Sequence, residues 1–261
     1  MKPKVCLFTV AALFISASCT KTQKEEGQDT VQKETKVLQE AGEIYIASGA
    51  GYRKPVNELK SIFEAETHLT VHCIFGNMKQ VTTQVRSSGK VSLVIGDGTF
   101  LDTSGIRFEK RTDIGRGRLV LAFDKRLPLS KIEDIDRTDI DRIILPDPKK
   151  AIYGRASDAA LKKLSLYDRV KTRLVIVQTV PQVTSYLVSG TAKVGFINRT
   201  DFLSLDQERF ASIEVAPSLY EPITIEAALT QTATAAGHRF FEFVRSDVAR
   251  NVFSKYGLGR E

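Results

Sequence analysis

RIILPDPKKAIYGRASDAALKKL, residues 142–164, holds in miniature the pattern that decides the fold. Arg142–Leu145 is a short apolar run of the kind that forms a strand buried on both faces. Pro146–Gly154 is a polar turn holding two prolines, a glycine and Tyr153. The chain then becomes helical, with Ala160, Leu161 and Leu164 on one side. Strand, polar turn and helix follow one another without a linker.

The same unit recurs on both sides. Ile44–Ala47 leads into Ser48-Gly49-Ala50-Gly51-Tyr52-Arg53, and then into a stripe of Val56, Leu59, Ile62 and Phe63 with Pro55 in the first turn. Thr70–Phe75 leads into Gly76-Asn77-Met78-Lys79-Gln80. Leu174–Val177 leads through Gln178-Thr179-Val180 into Val183 and Leu187. Leu93–Ile95, Leu119–Phe123 and Val194–Ile197 read as further strands. Ala236, Phe240, Phe241 and Val244 form another helical stripe. Strands alternating with helices in this way predict an α/β fold, with parallel-type sheets flanked by helices. In such sheets the turns gather at the carboxyl ends of the strands, where each following helix presents N–H groups that lack an acceptor within the helix. Several helix starts facing one point bind an anion without any charged side chain.

The 261 residues, 42% hydrophobic and 26% charged, describe a globular chain with room for two modest lobes or one large α/β domain. Three cysteines, Cys6, Cys19 and Cys73, make no disulfide framework. A net charge of +7 favours anionic partners in general, and no motif singles out nucleic acid. At the N-terminus, Lys2 and Lys4 precede an apolar run from Val5 to Ile15, then Ser16-Ala17-Ser18-Cys19. This reads as a signal peptide over residues 1–18, too short for a stable span. Small residues before Cys19 resemble a bacterial lipoprotein signal, in which Cys19 is lipidated and becomes the mature N-terminus, although Ser16 stands where leucine is usual. Residues 19–42 lack aromatics, mix both charge signs and are expected to be a flexible tether.

Enzyme chemistry finds little support. His68, His72 and His238 lack metal-ligand spacing, and no GxSxG or GxxxxGK[ST] is present. The glycine-rich stretch after Ile46 has Lys54 where a dinucleotide loop requires its third glycine. Asp97, Asp102, Asp147 and Asp158 form no acid/base pair and suit turns and caps. Cys73 sits in an apolar run, as a buried cysteine does.

Four segments, LPDPKKAIYGRASDAAL (Leu145–Leu161), SGTAKVGFINRTDF (Ser189–Phe202), YEPITIEAAL (Tyr220–Leu229) and FEFVRSDVARNVFSKYGL near the C-terminus, stand in an order and spacing that resemble the substrate-binding protein of molybdate ABC importers, within the type II periplasmic binding proteins. The resemblance covers about Ile44 to Leu258. It implies two α/β lobes with the ligand cleft between them: lobe 1 from residues 43–117 and 218–261, lobe 2 from residues 118–217, with crossings near Leu119–Phe123 and Pro217–Ile223. It implies ligand contacts from Ala50 and Gly51, Asn77 and Met78, Tyr153, Val180 and Asn198, with Arg53 as a further donor should it turn inward. Gly51 and Met78 stand where the family commonly has hydroxyl side chains, so they offer N–H groups alone. It further implies a monomeric, non-enzymatic receptor, held to a membrane only by its lipid, that passes molybdate or tungstate to a permease and needs no cofactor. Phosphate keeps a proton near neutral pH and needs a carboxylate acceptor, which none of these positions supplies. Two alternatives stand beside this reading: the same fold serving a different small anion, in import or sensing, and a periplasmic enzyme.

Overall fold

The computed structural model describes residues 42–259, so the expected signal peptide, Cys19 and all but the last residue of the expected tether lie outside the described residues. In chain order the first part runs β1 (Glu43–Gly49), α1 (Arg53–Thr67), β2 (Thr70–Gly76), α2 (Met78–Ser88), β3 (Val91–Asp97), α3 (Gly98–Asp102) and β4 (Phe108–Gly117). The middle part runs β5 (Leu119–Asp124), β6 (Ile143–Pro146), α4 (Ile152–Lys163), α5 (Tyr167–Val170), β7 (Leu174–Val177), α6 (Val180–Val188), β8 (Val194–Asn198), α7 (Arg199–Phe202) and β9 (Phe210–Glu214). The chain closes with β10 (Ile223–Thr230), α8 (Ala235–Val244) and α9 (Asp247–Lys255).

The strands form two five-stranded sheets, ordered β2-β1-β3-β10-β4 and β7-β6-β8-β5-β9. The expected α/β fold with helix-flanked sheets holds, but the sheets are mixed rather than wholly parallel. β1 pairs in parallel with β2 and β3, and β6 with β7 and β8, as strand–helix–strand units require. β10 instead runs antiparallel to β3 and β4, and β5 antiparallel to β8 and β9. Both reversed strands follow a passage from one sheet to the other rather than a crossover helix. Leu119–Phe123, expected at a crossing, is a full strand of the second sheet. The outward passage is Arg118 alone, and the return runs between Glu214 and Ile223 through a short 3-10 turn, Pro217–Leu219. The backbone N–H of Leu119 donates to the Tyr220 hydroxyl at 3.2 Å, tying the two passages together.

The helices cover the sheets with the faces their spacing predicts. α1 buries Pro55, Val56, Leu59 and Phe63, and α8 buries Ala236, Phe240, Phe241 and Val244. Phe63 meets Phe240 edge-on, with ring centroids 4.9 Å apart, each ring adding roughly 1.5–3 kcal/mol by burial. β3 and β8, at the middle of their sheets, are buried along their whole length, so their apolar runs continue without alternation.

Candidate functional site

The carboxyl ends of β1, β2 and β6 and the start of α6 converge on one cavity between the two sheets. It is lined by Gly49–Tyr52, Gly76–Met78, Ala151–Tyr153, Thr179 and Val180, with no acidic or basic side chain among them. The cavity leaves about 20 Å³ for the centres of water-sized groups, a space matched to a ligand of a few heavy atoms. Sites for drug-sized molecules are an order of magnitude larger, on the order of 300–1,000 Å³, so only a compact ligand fits.

Each wall is a helix start. A 3-10 turn, Ala50–Tyr52, follows β1 directly, and neither it nor α4 has a capping side chain. α2 begins with a capping box: Asn77 Oδ1 accepts the Gln80 N–H at 2.9 Å, and Gln80 Oε1 accepts the Asn77 N–H at 3.0 Å. That box serves the third turn position and leaves the leading N–H of Met78 to the cavity. α6 starts with Thr179 as cap and Pro181 in its first turn. Gly154 lets the α4 start sit this close: a Cβ there would lie 2.6 Å from the Asp147 carbonyl carbon. The result is a pocket of backbone donors and positive helix ends, with an apolar lining and no proton acceptor of carboxylate strength.

The structure brings Ala50, Gly51, Asn77, Met78, Tyr153 and Val180 together around this cavity. Asn198 stands behind it, fully buried: its Nδ2 donates to the Gly51 carbonyl at 3.0 Å while its Oδ1 caps α7 through the Asp201 N–H at 3.2 Å. Arg53 is exposed and stacks over the Phe75 ring, 4.4 Å from its centroid, so its guanidinium lies on the flank of α1 and not on the cavity wall. Cys19 lies outside the described residues.

Two features had no local signal. The Tyr52 and Tyr153 hydroxyls meet across the two sheets at 2.7 Å, both rings buried. Burial pushes both phenols up, so they stay neutral hydroxyls throughout the physiological range. Gly117 makes room for this pair, because a Cβ there would run into the Tyr153 hydroxyl and the Ile223 side chain. Asp97, at the end of β3, caps α3 through the Phe100 N–H at 3.2 Å, as its position suggested. It also accepts Arg155 Nη2 of α4 at 2.9 Å. Smaller contacts close the same seam: the Lys79 N–H donates to the Lys150 carbonyl at 3.3 Å, and Asn77 Nδ2 to Gln178 Oε1 at 3.5 Å.

With the geometry in place, the comparisons decide the family. The bacterial extracellular solute-binding protein family matches residues 44–259, which is essentially every described residue. The chain belongs to that family. Among its relatives, the molybdate-binding protein ModA of Rhodobacter capsulatus is 27% identical over 234 residues, covering 85% of this chain and 90% of the relative. The candidate ABC transporter substrate-binding lipoprotein YvgL of Bacillus subtilis is 23% identical over 270 residues, covering 100% and 99%. The periplasmic molybdate-binding protein of Azotobacter vinelandii superposes with a TM-score of 0.75 at 20% identity, covering 84% of this chain and 99% of that one. That likeness shows the two-lobed binding-protein fold in this chain, each lobe built on one of the two sheets.

Proposed function

We propose that this solute-binding protein captures a tetrahedral oxyanion, molybdate or tungstate foremost, and delivers it to an ABC permease. The observation that carries the reading is a cavity of about 20 Å³ walled by four helix starts and containing no carboxylate. Such a site stabilises a compact, fully deprotonated anion through N–H donors from both lobes. Phosphate near neutral pH retains a proton for which the lining has no carboxylate acceptor. The ModA relatives, named for molybdate, support the choice of anion.

Gly51, Met78, Tyr153 and Val180 supply the N–H donors in this reading, with Ala50 and Asn77 shaping the wall and Asn198 holding the first turn in place. Residues 43–117 and 218–261 act as one lobe and residues 118–217 as the other, pivoting at Arg118 and at the return passage before Ile223. The leader over 1–18 is removed and Cys19 is lipidated, leaving residues 19–42 as a tether; the likeness to YvgL along the whole chain supports this. Calorimetric titration of the protein with molybdate, tungstate, sulfate and phosphate tests the function. Tight binding of the first two with weak or absent phosphate binding is expected. Tight phosphate binding, or no heat with any of the four, overturns it.

A further inference from the structure

The lobes also grip one another away from the anion cavity. Asp97 ends β3 in the first sheet, and its side chain is 1% exposed. Its Oδ1 accepts both the Phe100 N–H and Arg155 Nη2, and its Oδ2 is buried without a hydrogen-bond partner. Arg155 comes from the other lobe, two residues after Tyr153 on α4. Its guanidinium lies over the Phe100 ring, 4.8 Å from the centroid. The β3–α3 corner of one lobe therefore holds an α4 arginine of the other by charge and by ring face.

We propose that Asp97 and Arg155 are the latch of the closed cleft: they touch no ligand, yet they set how long the closed lobes retain it. The proposal rests on the capture reading above and adds to it the residues that govern release. Any contact present only in the closed state shifts the equilibrium towards closure, whether ligand or protein supplies it. When the lobes part, Arg155 returns to water while Asp97 keeps its cap on α3. Burial pushes the Asp97 carboxyl up despite the arginine, so enclosing the ionised carboxylate is unfavourable unless Arg155 accompanies it.

That asymmetry gives the latch a signature. Removing Arg155 leaves a buried, uncompensated carboxylate facing the other lobe, which is worse than having neither charge. Neutralising Asp97 as asparagine keeps the cap, since asparagine serves that position as well as aspartate. A residue that only supported the local fold would show neither rescue nor an effect confined to release.

The experiment places one fluorophore on each lobe of the full protein. It follows lobe separation without ligand and, by stopped flow, the binding and release of molybdate. Arg155→Met is expected to release molybdate about 10- to 100-fold faster with its association rate within about twofold of wild type. Asp97→Asn alone should change release by no more than about fivefold, and Asp97→Asn/Arg155→Met should return release to within about threefold of wild type. Release from Arg155→Met within twofold of wild type, or simple addition of the two single effects in the double variant, overturns the latch. Should the wild-type protein bind none of the four anions, the capture reading fails separately. The ligand-free closed fraction then decides: the latch stands if it falls in Arg155→Met and recovers in the double variant, and is overturned if it does not change.

Discussion

The buried hydroxyl pair of Tyr52 and Tyr153 separates two accounts of how this cleft closes. The oxygens lie 2.7 Å apart and the ring centroids 6.4 Å apart, one ring from each lobe. Family resemblance makes Tyr153 a ligand contact; the structure gives its hydroxyl a partner in Tyr52. Tyr153→Phe leaves the Tyr52 hydroxyl buried without this partner, whereas after Tyr52→Phe the Tyr153 hydroxyl still has the Asn198 side chain. Such an orphaned group costs about 1–3 kcal/mol, whereas replacing both partners by apolar groups of the same shape is nearly neutral. Tyr153→Phe should therefore weaken molybdate binding by roughly 5- to 150-fold, Tyr52→Phe by less, and the double variant should bind within about threefold of wild type. Calorimetry on the four proteins completes the cycle, with melting curves confirming that all are folded. Losses that add in the double variant would refute the pairing and assign the hydroxyls separately to the anion.

Further outcomes follow from other sites. Gly154→Ala places a methyl group against the backbone of Pro146 and Asp147, which cannot rotate away; it should lower stability by about 1–3 kcal/mol in thermal unfolding and weaken anion binding as the α4 start is displaced. Asp124 is held by side-chain hydrogen bonds from Arg126 at 2.6 and 2.8 Å and by Arg209 at 3.3 Å, contacts that keep its carboxyl well below the usual range. Because its folded value is depressed, its contribution is complete above about pH 4 and is lost as pH falls further. Asp124→Asn should lower Tm at pH 7 by about 2–4 °C and flatten the acid limb of Tm against pH; an unchanged acid limb would exclude this pair as a source of stability. Cys19→Ala should move the processed protein from the membrane fraction to the soluble one, since lipid alone is proposed to hold it. Persistent membrane retention of the processed variant contradicts lipidation at Cys19.

Much of the fold could be read along the chain because buried strands in crossover units are continuous apolar runs. Leu174–Val177 has the same bounds in sequence and structure, and the other six runs fall within a residue or two of strand ends. β4 escaped because FEKRTDIGRG, at the edge of its sheet, is mostly polar and interrupted by glycine. β10 carries no separate strand signal, since it begins where the expected passage Pro217–Ile223 ends, although Ile223, Ile225 and Ala227–Thr230 are buried within the first sheet. Sheet direction was the least legible feature, because an antiparallel strand inserted from a distant segment leaves no local mark. At the site, the turns were visible because each one joins an apolar run to an amphipathic stripe. Arg53 could be read as a donor but not aimed. Its position over Phe75 depends on β1 pairing with β2, a tertiary fact. The Asp97–Arg155 contact joins a strand end to a helix 58 residues further along the chain, beyond any spacing rule.

The central claim is that an oxyanion sits where the four helix starts meet, and tungstate tests it most directly because tungsten is both ligand and anomalous scatterer. Crystals of the protein grown with tungstate should show one strong anomalous peak between the two sheets, ringed by the N–H groups of Gly51, Met78, Tyr153 and Val180. A peak at another place, or an empty cavity in protein that calorimetry shows to be saturated, would contradict the account.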